Sequence, residues 1–82
     1  LFKDKELNPE IHKAWEDLDP YQGKVRRGTS SKGRMYYYQK DMLHGDVEVY
    51  KLSGSKGVHI GCVSMYGGPL TKPAVPGRTI QL

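Results

Sequence analysis

Glycine and proline recur so often in the second half of this chain that no segment there can hold more than a short strand. Residues 53–57 (Ser-Gly-Ser-Lys-Gly) and 66–69 (Tyr-Gly-Gly-Pro) are turn sequences, and Pro73, Pro76 and Gly77 make an irregular arm. Between these breaks the hydrophobic period is two. Residues 35–38 are β-prone, 44–52 alternate, and 58–63 read as a strand with Val58, Ile60 and Cys62 on its inward face. Asp41, Met42 and Leu43 form a hairpin connection, and 78–82 supply a last short strand. Strands at this spacing predict a strongly twisted antiparallel meander.

The first part of the chain reads differently. Asn8-Pro9-Glu10 combines an N-cap residue, a first-turn proline and an acid at the positive end of a helix dipole. Ile11, Trp15 and Leu18 follow at helical spacing, and Asp19-Pro20 stops the element. A helix over residues 9–18 is therefore expected, with Trp15 as a packing anchor and His12 exposed. Residues 22–33, polar and basic, read as a loop or linker. The expected fold class is α+β, mainly β: an N-terminal helical segment (1–23) leading a β-domain (24–82) within one compact unit.

Eighty-two residues fit one small domain and exclude barrel or doubly wound enzymes. No membrane span or signal peptide is visible. The single cysteine, Cys62, allows neither an internal disulfide nor a Cys-rich zinc site. A chain opening on Leu1 rather than methionine is expected to be a fragment of something longer. Charge is unevenly placed. Residues 1–20 carry six acids against three lysines, whereas 21–82 carry ten Lys or Arg against three acids. Lys24, Arg26, Arg27, Lys32 and Arg34 follow one another with no acid between them. Such a body draws polyanions by counterion release, and these five are the candidates to grip RNA phosphates. A solvated basic face that keeps the protein soluble is the alternative.

All three acids after residue 20 lie in one run with a histidine: Asp41, His44, Asp46 and Glu48. Alternation along the strand sends His44, Asp46, Glu48 and Tyr50 to one side and Gly45, Val47 and Val49 to the core. An outward polar face would account for the pattern by itself. An acid–imidazole group in a positive field also suits RNA cleavage by internal transesterification, with a base, an acid and a cation on the phosphorane. That scheme calls for no metal or other cofactor. A chelate of His44, Asp46 and Glu48 is the rival chemistry, but it would be oxygen-rich and weakly specified. His59, opposite Val58 and Ile60, is a candidate to reach the site across a hairpin. Tyr36, Tyr37 and Tyr38 are read as sheet packing rather than base-stacking groups.

The stretch D-x-x-H-G-D-x-E-x-Y from Asp41 to Tyr50 resembles the active-site strand of the ribosome-cleaving E-type colicins and cloacin. Lys32-Gly33-Arg34 before it, His59-Ile60-Gly61 after it and Pro76-Gly77-Arg78 near the end are similar in order and spacing, so the likeness covers roughly residues 24–82. The resemblance implies a metal-independent toxin endoribonuclease that cuts 16S rRNA at the ribosomal decoding centre. It assigns Glu48 as general base, His44 as general acid, Asp41 as its orienting partner and Arg78 as the phosphate-stabilising cation. Asp46, Tyr50 and His59 are auxiliary candidates, and Asp46 stands where the family usually has a glutamate. The resemblance further implies an acidic immunity protein as partner, RNA rather than DNA as target, and no membrane partner. Delivery would be by secretion or from a cell surface, as at the tips of contact-dependent inhibition proteins, with action in the target-cell cytoplasm. The competing expectations are a non-catalytic RNA- or ribosome-binding module, and a ribonuclease aimed at tRNA or mRNA.

Overall fold

The computed structural model describes residues 9–82. Among the described residues, seven strands build one antiparallel sheet: β1 (Asp19–Gln22), β2 (Val25–Thr29), β3 (Met35–Lys40), β4 (Asp46–Ser53), β5 (Lys56–Ser64), β6 (Leu70–Pro73) and β7 (Thr79–Gln81). Neighbours follow chain order from β1 to β6, as a meander should. The outer edge of β5 is shared. Its second half, around residues 61–63, pairs with β6, and its first half, Lys56 to Val58, pairs with β7.

The regular structure of the described residues is nearly all antiparallel β-sheet, which corrects the expected α+β class and its N-terminal helix. The only helical turn among the described residues is a 3-10 turn at Trp15–Asp17. Asn8, the expected cap, lies outside the described residues. A helix of about ten residues is marginal without tertiary support, and here every tertiary contact favours an extended strap. His12 exchanges two backbone hydrogen bonds with Gly68, at 2.8 and 2.9 Å, and the Trp15 N–H donates to the Met65 carbonyl at 2.9 Å. Ser31 N–H donates to the Ile11 carbonyl at 2.8 Å, while Ile11 N–H donates to Ser31 Oγ. Glu10 accepts hydrogen bonds from the hydroxyls of Ser30 and Tyr36. Gly67 makes the close passage feasible: a Cβ there would lie 2.7 Å from the His12 carbonyl oxygen. His12, expected at the surface, is buried, with Nδ1 2.8 Å from the Tyr38 hydroxyl.

The expected linker over 22–33 contains β2, and β1 joins it across the expected boundary at residue 23. Arginine at two central positions hides the hydrophobic period of β2, yet Val25 and Gly28 are buried. The guanidinium groups lie over aromatic rings instead, as cations over π faces do readily. Arg26 lies over the Trp15 ring at 4.4 Å, and Arg27 over Tyr21 at 5.0 Å. Pro20 sits in β1, an edge strand, where a missing N–H is tolerated.

Both faces of the sheet carry apolar packing. On one, Leu18, Tyr36, Tyr38, Val47, Val49 and Val63 form the larger cluster, with Trp15, Ile60 and Met65 against it. On the other, Val25, Tyr37 and Tyr50 pack with Ile80 and Leu82. The three consecutive tyrosines thus divide between the faces as core, as expected.

Candidate active site

Glu48 sits in the middle of β4 on the second face, and its position follows from strand alternation. Val47 and Val49 point into the main cluster, so Glu48 must project oppositely, directly across from Gln39 of β3 and Cys62 of β5. What surrounds it depends on a bulge. Between the pairs Val49↔Gly61 and Tyr50↔His59 the register slips, leaving Ile60 as the extra residue. Gly61 takes φ +151 there, and a Cβ would meet the Lys72 carbonyl oxygen at 2.6 Å, so the bend requires glycine.

The bulge puts His59 and Cys62 on the same side of β5, both toward Glu48. The expected facing of β5 is corrected accordingly. Val58 is exposed, whereas His59 is buried, and Cys62 turns to a carboxylate rather than joining Val58 and Ile60. His59 Nε2 lies 2.6 Å from Glu48 Oε1, and its Nδ1 accepts a hydrogen bond from the Val75 N–H at 2.9 Å. An Nδ1 that accepts leaves the proton on Nε2, so a neutral His59 donates to Glu48. Arg78 Nη1 donates to the same oxygen at 3.0 Å and Cys62 Sγ at 3.3 Å. The Arg78 carbonyl in turn accepts the His59 N–H, so one short stretch of arm holds both partners.

Three donors converge on Oε1. Oε2 receives none from the described residues, and no buried side-chain oxygen among them lacks a partner, so Oε2 keeps some contact with solvent. Arg78 keeps 46% of its side chain exposed, leaving its outer nitrogens open to an incoming anion. Burial and the neighbouring carboxylate push the Cys62 thiol up to about 11, so it stays protonated. Burial, then the charge of Glu48, also raises the Tyr50 phenol. Tyr50 is itself core, 2% exposed, with its ring edge-on to His59 at 5.3 Å.

The Glu48–His59–Cys62 trio has metal-ligand residue types at ligand separation. Its protonation argues against that use. Nδ1 accepts the Val75 N–H, so Nε2 carries a hydrogen, and the Arg78 guanidinium occupies the third side. The donors are organised around a carboxylate rather than around a cation.

Asp41 and His44 form a separate pair. His44 lies in the β3–β4 connection, before the strand rather than on it, and its Nδ1 is 2.9 Å from Asp41 Oδ2. Asp41 Oδ1 also accepts the Leu43 and His44 amides, tying the turn to itself. The hydrogen bond from His44 leads in holding the Asp41 carboxyl below the usual range, with those amides adding to it. With Nδ1 engaged, Nε2 of His44 faces outward on an exposed ring. Asp46 is paired with Lys72 at 2.6 Å, a cation that strand periodicity alone does not single out. The rival His44–Asp46–Glu48 chelate does not assemble, since the three groups are differently partnered.

The five expected phosphate-gripping cations do not form one patch. The β2–β3 register places Arg26 on the face of Tyr38 and Arg27 on the face of Tyr37, so the two point oppositely. Arg26 is tied to the Trp15 carbonyl at 2.8 Å, and Arg34 lies 3.6 Å from Glu10. Lys24 and Lys32 are exposed. Cys62, Lys72 and the Val75 amide are the members of the site that sequence reasoning missed. Gly61 inside a β-patterned run was the available sign of the bulge that gathers them. No protein-family model, curated protein or solved structure matches this chain.

Proposed function

We propose that this protein is an endoribonuclease that cuts RNA by internal transesterification. The observation that carries the reading is a single carboxylate with one oxygen saturated by His59, Arg78 and Cys62 and the other without a donor among the described residues. In this scheme Glu48 Oε2 takes the proton of a ribose 2′-hydroxyl, and the 2′-oxygen attacks the adjacent phosphorus. Arg78 balances the charge that grows on the phosphorane, where a preoriented guanidinium is most effective. His44, protonated and oriented by Asp41, gives its Nε2 proton to the departing 5′-oxygen. The products are a 2′,3′-cyclic phosphate and a 5′-hydroxyl. His59 touches no reacting atom; it is a positioning residue for Glu48. The likeness to the ribosome-cleaving colicins makes 16S rRNA in the decoding centre the first substrate to try, with tRNA and mRNA next.

Incubation with intact ribosomes and with naked RNA, followed by mapping of the ends, tests the proposal. Cyclic-phosphate ends are expected, with cutting that persists in EDTA. Replacing Glu48 by Gln should lower the rate by about 10² to 10⁴. RNA that is bound but never cut, equally by the wild type and by Glu48→Gln, would establish a binding module instead.

A further inference from the structure

On the other side of the sheet, at the end where β3 leads into the Asp41–His44 turn, lies a cavity of about 490 Å³. Its walls include Trp15, Pro20, Lys24, Arg26, Lys40 and Met42. Two of these walls are flat: the Trp15 indole and the Arg26 guanidinium over it at 4.4 Å. Arg26 is not free to swing, because its Nη1 donates to the Trp15 carbonyl at 2.8 Å. Lys24 and Lys40 add charge from the β1–β2 turn and the end of β3, and no carboxylate among the described residues lines the space. Met42 belongs to the same β3–β4 connection as His44, the proposed acid.

We propose that this cavity is a nucleotide subsite for single-stranded RNA. It would take one unstacked base on the outer face of the Arg26–Trp15 stack, beside Met42, while Lys24 and Lys40 hold the flanking phosphates. Planar stacking surfaces beside cations are what sequence-tolerant single-strand binding requires. A small aromatic metabolite would leave the paired lysines idle, and a plain polyanion would leave the flat face of the Arg26–Trp15 stack idle. The subsite extends the ribonuclease reading by giving the substrate a second hold beside the His44 turn, but the binding it predicts does not depend on catalysis.

Trp15 is the only tryptophan, so its fluorescence reports the cavity directly. The Glu48→Gln protein is titrated with a short single-stranded RNA, with the same backbone lacking bases, and with inorganic tripolyphosphate. RNA should quench Trp15 and bind about tenfold more tightly than the abasic strand. Lys24→Ala with Lys40→Ala, both away from the Glu48 site, should weaken RNA binding and flatten the slope of log K against log salt by about 1.4. Equal binding of all three polyanions with no quenching would overturn the subsite, as would an unchanged salt slope in the double variant. RNA cleavage by the wild type without quenching would remove the subsite and keep the enzyme. Quenching without cleavage would do the reverse.

Discussion

Glu48 is 8% exposed with three donors on one oxygen, an arrangement that costs desolvation and returns orientation. His59 is the donor that the fold protects most, its side chain wholly buried. His59→Ala should therefore cut turnover by about 10- to 100-fold with little change in KM, because it frees the carboxylate to rotate. His59→Gln, which can still donate to Oε1, should recover part of that loss, a rescue that a purely space-filling role would not show. Cys62 offers an independent readout. A thiol raised to about 11 and buried should resist alkylation at pH 8 in the folded protein and react readily in urea. Rapid native labelling would mean that the thiol is not held against Glu48 as described.

The decisive element is β5, whose bulge decides which of its residues meet β4. Gly61→Ala should destabilise the protein by about 1–3 kcal/mol in urea unfolding, through a forbidden φ and a contact with the Lys72 carbonyl. It should lower activity more than stability alone explains, since His59 and Cys62 would lose their shared facing. The strap over residues 9–18 makes a second prediction. Burial holds the His12 imidazole below its ordinary value, against the opposing pull of Glu10. Because the unfolded chain binds that proton more readily, the His12 contribution is full above the unfolded value of about 6.5 and is lost as pH falls below it. Glu10 acts in the same direction lower down. Burial raises its carboxyl, but the hydrogen bonds from Ser30 and Tyr36 and the charges of Arg34 and His12 outweigh this and leave it lowered. Unfolding midpoints followed from pH 8 to 5 should fall through the His12 range, and His12→Gln should remove that part of the fall.

Across the whole molecule, the cations are spread over both faces and one sheet end, so RNA binding should be strongly salt-dependent rather than confined to one patch. Contacts from Lys24, Arg27, Lys32, Lys40 and Arg78 would give a slope of log K against log salt of about −3.5 for a single strand. A flat salt response would contradict the electrostatic account. The meander, its turns and the facing of Val47, Glu48 and Val49 were legible because alternation and glycine act over two or three residues. The helix over 9–18 was misread because its Asn-Pro-Glu opening and apolar spacing are local. The contacts that outbid them, from Gly68, Met65, Ser31 and Tyr36, come from strands and turns far along the chain.

Sequence by itself determined the strand periods, the charge imbalance and the presence of a carboxylate, an imidazole and a guanidinium at suggestive positions. Only the tertiary structure decided which imidazole meets Glu48: His59 does, while His44 turns to Asp41. The reason is that alternation along one strand is a property of its own backbone. Facing across strands depends on register, and a single extra residue at Ile60 reverses it.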